Sequence, residues 1–145
     1  MFLGEHQHTI DPKGRIVLPS RFRSELAKGC FITKGLDRCL FIFTPEQWEI
    51  EIQEFRALNR RDRQNRNYSR VFFAGATDQK PDKQGRVQIP AGLREYAGLD
   101  KEVTVVGVAE RIEIWNTSTW QELTAGADDE YADTNEASQS GGSSN

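Results

Sequence analysis

The residues best suited to chemistry are basic side chains gathered in one short stretch, residues 11–23. The stretch contains four cations, Lys13, Arg15, Arg21 and Arg23. Lys and Arg side chains that project from a turn are well suited to the phosphates of a nucleic acid. The planar fork of Arg can also donate two hydrogen bonds to guanine in the major groove. The stretch therefore predicts a surface that binds a polyanion.

A turn and a short strand must position these cations. Asp11 can accept hydrogen bonds from the turn's own backbone, and Gly14 tolerates a positive φ. The β-branched run at 16–18 predicts a short strand, which Pro19 ends because it cannot donate to a ladder. Ser20 is then expected to cap a helix over residues 20–27.

The same pattern occurs a second time 71 residues later, at 82–94. The second copy has Lys83 and Gln84 where the first has Pro12 and Lys13, so its lysine sits one residue earlier. An internal repeat indicates that one structural unit has been duplicated. The coinciding residues are Asp11 with Asp82, Gly14 with Gly85, Arg15 with Arg86, Pro19 with Pro90, and Arg23 with Arg94.

Two roles are open to the arginines of the repeated turns. Arg15 and Arg86 could each form a structural pair with the aspartate four residues earlier, or they could contact DNA. A structural role is expected for Asp11, Gly14, Asp82 and Gly85, since a carboxylate facing phosphate is repelled. The predicted DNA-binding set combines the cations of both copies and consists of Lys13, Arg15, Arg21, Arg23, Lys83, Arg86 and Arg94.

Composition separates a body from a tail. The 145-residue chain has a net charge of −3, but residues 125–145 contain five acids and no Lys or Arg, so residues 1–124 carry +2. A weakly positive body can bind an anion if its cations are clustered. The tail is rich in Gly, Ser, Asn and acids, a composition typical of disorder.

Other kinds of site find little support in the sequence. His6 and His8 lie on one face of the first predicted strand, but a metal site would need a third ligand. Cys30 and Cys39 are interpreted as small buried residues in strands. Without a catalytic constellation we expect neither an enzyme nor a cofactor, metal or small-molecule substrate. The absence of a long apolar run or signal peptide predicts no membrane partner and a cytoplasmic protein.

A helical connector is predicted between the two copies. Trp48, Ile52 and Phe55 recur at helical spacing, and no Pro or Gly interrupts residues 56–70. Residues 56–70 contain six arginines against the single acid Asp62. Two interpretations remain open: a solvated helix face, or pairing with Asp and Glu of a neighbouring subunit.

Two copies of Asp-x-x-x-Arg, each followed by a strand ending in Pro and a short helix, resemble the MraZ family of bacterial transcription regulators. The Met-Phe-Leu-Gly start and the connector add to the resemblance, which covers residues 1–123. It implies a mainly β fold with short helices, a tandem AbrB-like swapped-hairpin β-barrel that forms a pseudo-dimer within one chain. It also implies a closed, ring-shaped homo-oligomer that binds double-stranded DNA upstream of the division and cell-wall gene cluster, in the nucleoid.

The expected organisation is a first SpoVT-AbrB-type domain at 1–48, a helical connector at 49–72, a second such domain at 73–124 and a disordered tail at 125–145. The predicted function is sequence-specific DNA binding at short direct repeats, through the basic turns. The predicted target is the promoter of the division and cell-wall gene cluster that includes the protein's own gene. Two alternatives remain: a structural or adaptor oligomer without DNA readout, and an AbrB-type antitoxin whose tail binds a toxin.

Overall fold

The computed structural model describes the backbone of residues 1–142 and the side chains of residues 1–134. Residues 1–142 form eight strands and six helices. The strands are β1 (Phe2–Thr9), β2 (Arg15–Val17), β3 (Cys30–Lys34), β4 (Leu40–Phe43), β5 (Thr77–Gln79), β6 (Arg86–Gln88), β7 (Glu102–Ala109) and β8 (Arg111–Asn116). The helices are α1 (Ser20–Leu26), α2 (Pro45–Arg56), α3 (Arg63–Ala74), α4 (Ala91–Tyr96), α5 (Thr117–Thr124) and α6 (Ala127–Gly142).

The two copies of the repeat interleave in the sheets. Six antiparallel strands follow the order β1-β7-β8-β4-β3-β5, and β2 pairs with β6 in a separate two-stranded ribbon. Four pairings join the two halves: β1 with β7, β2 with β6, β3 with β5, and β4 with β8. The prediction of a duplicated, mainly β fold in which the two units pair within one chain is therefore confirmed.

A single apolar core draws on both copies. Ile16, Leu18 and Phe22 of the first copy are almost fully buried, as are Val87 and Ile89 of the second. They belong to one cluster with the inward residues of β3, β4, β7 and β8. Burial of one large aliphatic side chain contributes about 1.5–3 kcal/mol. Each half on its own would expose much of this surface, so the interleaved pairing is what makes the core large enough.

The connector consists of the two helices α2 and α3, and aromatic packing fixes them on the sheet. The Thr44 side chain accepts a hydrogen bond from the Gln47 backbone N–H at 3.1 Å and so caps α2. Trp48 stacks on Phe31, with ring centroids 4.6 Å apart, and on Phe72 of α3, with ring centroids 5.4 Å apart. The helical connector predicted from the spacing of Trp48 and its neighbours is present in the structure.

Helix and strand ends depart from the sequence prediction in places. Ser20 is the first residue of α1 instead of its cap, because Pro19 is the extended residue before the helix, with φ −52° and ψ 136°. No side chain caps α1. In the second copy, expected to begin at residue 73, β5 begins only at Thr77, since α3 continues to Ala74 and Gly75 occupies its C-cap.

The tail follows the body after α5. Composition predicts disorder from residue 125, and within this stretch the described backbone of Ala127–Gly142 is helix α6, whose first-turn acids interact favourably with the positive end of the helix dipole. Side chains 128–134 are exposed, so this part of the helix buries no apolar face against the body. Residues 143–145 of the predicted tail lie outside the described residues.

Candidate nucleic-acid interface

The β2–β6 ribbon brings the two repeated turns to one face of the molecule. Ile16 lies opposite Val87, and both are buried in the core. Because strand residues alternate between faces, their neighbours project to the other side. This outer face pairs Arg15 with Gln88 and Val17 with Arg86, which places the two arginines on a diagonal. We call these four residues the ribbon face.

The first turn is built around the Asp11 carboxylate. One of its oxygens accepts hydrogen bonds from the backbone N–H groups of Lys13 at 2.9 Å and Arg15 at 2.8 Å. The other oxygen pairs with Arg15 Nε at 2.7 Å. The backbone hydrogen bond from Arg15 is the main cause that lowers the pKa of Asp11 below its ordinary value. The carboxylate therefore holds both the turn and the direction of the Arg15 side chain.

The second turn repeats this geometry at Asp82. Its carboxylate accepts from the backbone N–H groups of Gln84 and Arg86, both at 2.9 Å, and pairs with Arg86 Nε at 2.7 Å. The pKa of Asp82 is lowered as well, again mainly by the backbone hydrogen bond from its arginine. The side chains of Arg15 and Arg86 are 29% and 27% exposed. Within the described residues their Nη groups donate to no protein acceptor, so they remain free for a ligand.

An arginine of the other copy packs against the glycine of each turn. Gly14 has φ +81° and Gly85 has φ +76°, a region that favours glycine. A Cβ on Gly14 would collide with the Arg94 guanidinium, and one on Gly85 would collide with Arg23. Arg23 Nε donates to Leu18 O and Arg94 Nη1 donates to Ile89 O, both at 3.0 Å. These two predicted site residues are half-buried and lie between the turns.

The remaining predicted cations are exposed. Lys13 and Lys83 project from the two turns, and Arg21 lies in the first turn of α1. The position that corresponds to Arg21 in the second copy is Gly92, which carries no charge. The structure thus places six of the seven predicted cations in or beside the two turns, whereas the Arg21 guanidinium lies near Gly4 of β1.

Two residues of the ribbon face were missed in the sequence. Val17 is 37% exposed between the two arginines, although it is apolar. Gln88 is held by three hydrogen bonds: its Nε2 donates to Lys13 O at 2.6 Å, its backbone N–H donates to Gln79 Oε1 at 2.8 Å, and its backbone oxygen accepts from Gln79 Nε2. Alternation along the short strand indicated that Ile16 and Val17 would face opposite sides. Only the pairing of β2 with β6 shows that Ile16 points inward and Val17 outward.

The histidines and cysteines lie outside the ribbon face. His6 packs edge-on against Phe22 with ring centroids 5.1 Å apart. The pKa of His8 is lowered, first by burial and then by the charges of His6 and Arg23. Burial raises the pKa of Cys30 to about 12 and also raises that of Cys39. Among the described residues, no group of three or more His, Cys, Asp or Glu side chains is arranged to hold a metal ion.

Comparison with known proteins agrees with the duplicated architecture. A family model described as "MraZ protein, putative antitoxin-like" matches residues 1–71 and again residues 72–140. The chain belongs to the MraZ family. Proteins named "Transcriptional regulator MraZ" from Moorella thermoacetica and Salinispora tropica are 50% and 48% identical to it, over 131 and 136 residues. These matches cover 90% and 94% of this chain and 92% and 96% of the relatives.

A third MraZ relative, from Micrococcus luteus, is 44% identical over 136 residues, which is 94% of this chain and 95% of the relative. The family to which the chain belongs is therefore one of transcriptional regulators, and these names describe no enzyme. No helix within the described part of this MraZ chain is both long and apolar enough to cross a membrane.

Proposed function

We propose that this MraZ protein regulates transcription by binding specific DNA through the ribbon face and the turns beside it. The observation that carries the proposal is the β2–β6 pairing, which presents two equivalent Asp–Arg turns side by side. The major groove admits a two-stranded β-ribbon. A ribbon that enters the groove would present both arginines to base edges from the same rigid support.

Different side chains are assigned different tasks in this proposal. Arg15 and Arg86 have free Nη groups and are suited to guanine, while Val17 between them is suited to a thymine methyl group. Lys13, Lys83 and Arg21 are exposed and are suited to phosphates. Arg23 and Arg94 hold the turns, and their remaining N–H groups can reach the backbone of the bound DNA.

The proposed setting is the promoter of the division and cell-wall gene cluster that includes the protein's own gene, in the cytoplasm at the nucleoid. Resemblance to the family suggests that copies associate in a closed ring and bind short direct repeats. Large apolar side chains that are exposed on the described surface, such as Leu3, Ile50 and Val71, support self-association. A ring would bind several repeats in phase much more tightly than one repeat, through effective concentration.

A second candidate function follows from the words "antitoxin-like" in the family description. In that case α6 would bind a toxin partner, and the ribbon would bind DNA as part of an antitoxin. A structural oligomer without DNA readout is the third possibility. The duplicated basic turns favour DNA over assembly alone, and the two tandem units are unlike a single DNA-binding domain with a long partner-binding tail.

Arg15→Ala tests the proposal most directly. We expect operator DNA binding to be lost or strongly weakened, because the substitution removes an arginine of the ribbon face whose Nη groups are free for a ligand. Fluorescence anisotropy with DNA from upstream of the protein's own gene would measure the affinity across a salt series. Log–log slopes of about −0.9 per neutralised phosphate are expected for the unsubstituted protein.

Light scattering on the same samples separates binding from assembly. Arg63→Ala is the matched control, because it removes an exposed arginine from the start of α3, away from the ribbon. Normal DNA affinity of Arg15→Ala would remove Arg15 from the site. Loss of affinity together with loss of the oligomer would assign Arg15 a structural role.

A further inference from the structure

A cleft between the connector helices combines an apolar floor with a rim of positive charge. Its volume is about 350 Å³. Phe55 and Leu58 line it from the end of α2 and the following loop, and Phe73 lines it from α3. Arg60, Arg66 and Arg70 also line it. We call this the connector cleft.

The arginines of the connector cleft have hydrogen bonds but no acidic partners. Arg66 Nη1 donates to the backbone oxygens of Arg60 at 3.1 Å and Arg61 at 2.9 Å, which closes the loop between the helices. Arg70 Nη1 donates to Asn67 Oδ1 at 3.1 Å. Among the described residues, no salt bridge links Arg60, Arg66 or Arg70 to a carboxylate. Their positive charge is therefore available to a negatively charged ligand.

The complementary surface lies on α6 of the same sequence. Asp128, Asp129, Glu130 and Asp133 are exposed, and none forms a salt bridge within the described part of the chain. Tyr131 stands among these acids with 83% of its surface exposed. Residues three apart are neighbours on a helix, so Asp128 lies beside Tyr131 on one face. An exposed aromatic ring flanked by acids matches an apolar cleft rimmed by arginines.

The exposure of α6 indicates that its partner is a second molecule. It follows α5, whose Trp120 packs with Trp115 of β8, and Phe41 of β4 contacts both this cluster and the aromatic cluster of α2 and α3, so both groups of helices cover the same face of the sheet. Side chains 128–134 are exposed in the single chain, so they do not fill its own connector cleft. The acids of α6 and the connector cleft therefore stay apart within one copy and would meet between copies.

We infer that the connector cleft binds helix α6 of a second copy of this chain, with Tyr131 on the apolar floor and the flanking acids paired with the rim arginines. Buried aromatic anchors surrounded by polar contacts are a common arrangement at interfaces. The contact would pair the positive charges of the connector cleft with the negative charges of α6. These charges form no salt bridges with each other within the described part of one molecule. This inference does not rest on DNA recognition and requires only that copies associate.

Photo-crosslinking of the full-length protein tests the contact. One copy has p-benzoylphenylalanine in place of Tyr131 and carries a purification tag. It is mixed with a second copy that has Tyr131 and carries a different tag. After irradiation we expect a crosslinked species containing both tags, with mass spectrometry placing the attachment within residues 55–73. The same photoreactive residue in place of Leu123, which is exposed on α5 outside the acidic helix, is the control and should give little of this species.

A charge exchange separates this contact from nonspecific proximity. Arg60→Glu with Arg70→Glu should reduce the crosslink roughly fivefold or more, since exposed ion pairs are lost and replaced by repulsion. Asp128→Lys with Glu130→Lys in the photoreactive copy should restore it. Arg63→Glu, a charge reversal on α3 outside the cleft, should change it little.

Three results would overturn the inference: attachment within the same copy, attachment at the basic turns, or a crosslink yield that is unchanged by Arg60→Glu with Arg70→Glu. Light scattering on every variant reports whether the oligomer persists. DNA binding of the same variants is read separately, so a failure of the docking contact is distinguishable from a failure of the proposed function.

Discussion

The two Asp–Arg turns share one backbone and differ in where their lysines lie and in the residues around them. Both carboxylates accept two backbone hydrogen bonds and pair with an arginine Nε at 2.7 Å, and both glycines have positive φ. The first copy has Lys13 and Arg21 where the second has Gln84 and Gly92. The first copy also has Val17 on the ribbon face where the second has Gln88.

This difference separates the residues that build the turns from those that adjust their contacts with DNA. The copies share the Asp and Gly residues that build each turn and the arginines proposed to contact DNA. The side chains that vary are exposed, although Gln88 Nε2 also donates to Lys13 O of the first turn. We therefore expect the shared Asp and Gly residues to govern stability in both copies, and the varied residues to govern how much each copy contributes to DNA affinity.

The largest effect is expected at the inward pair of the ribbon. Ile16→Ala should lower the free energy of unfolding by about 2–5 kcal/mol, because it leaves a cavity under both turns. Val87→Ala should cost less, because fewer atoms are removed from the same site. Urea denaturation of both variants measures the difference. If either substitution were nearly neutral, the ribbon would not be a joint support for the two turns.

The turn glycines test whether the two backbones are equivalent. Gly14→Ala and Gly85→Ala should each cost about 1–3 kcal/mol, because both require a positive φ and a shift of the opposite arginine. Gly92→Ala is the matched control. A Cβ there meets no atom within 4 Å, and alanine favours the helix α4 by roughly 0.5–1 kcal/mol. Unequal costs at Gly14 and Gly85 would contradict the equivalence.

Exchange of the residues that precede the turn glycines tests their contact with phosphate. Lys13→Gln gives the first turn the residue that the second has at this position, and loss of one phosphate contact should reduce the salt slope of DNA binding by about one. Gln84→Lys should increase the slope by a similar amount. Both side chains are exposed, so thermal unfolding should be unchanged. An unchanged slope in both variants would place the turn tips away from phosphate.

The smallest effect on stability is expected at the carboxylates, whose contribution is present at neutral pH and is lost in acid. The folded-state pKa values of Asp11 and Asp82 are lowered from 3.8, so ionisation stabilises the folded protein above that value. This contribution is lost as the pH falls below 3.8 through the lowered values. Asp11→Asn or Asp82→Asn should therefore flatten the acid side of the stability–pH profile. A profile identical to that of the unsubstituted protein would show that the turns do not depend on these charges.

Much of this protein was predictable from local signals. The repeat, the turns with their Asp and Gly residues, the capped α2 and the apolar spacing of the connector are all short-range patterns, and each depends on neighbouring residues. The resemblance to the MraZ family rests on the same patterns. The ends of helices were less predictable, as at Ser20, because Pro19 and Ser20 are both compatible with a helix start.

Only the tertiary structure decided which strands pair and which side chains become neighbours. β2 and β6 are 71 residues apart in the chain, and no local preference distinguishes this pairing from one between separate molecules. The contacts of Arg23 with Gly85 and of Arg94 with Gly14 depend on that pairing, as does the outward position of Val17. Sequence spacing determines the turn itself, whereas burial of a shared core determines which face each turn presents.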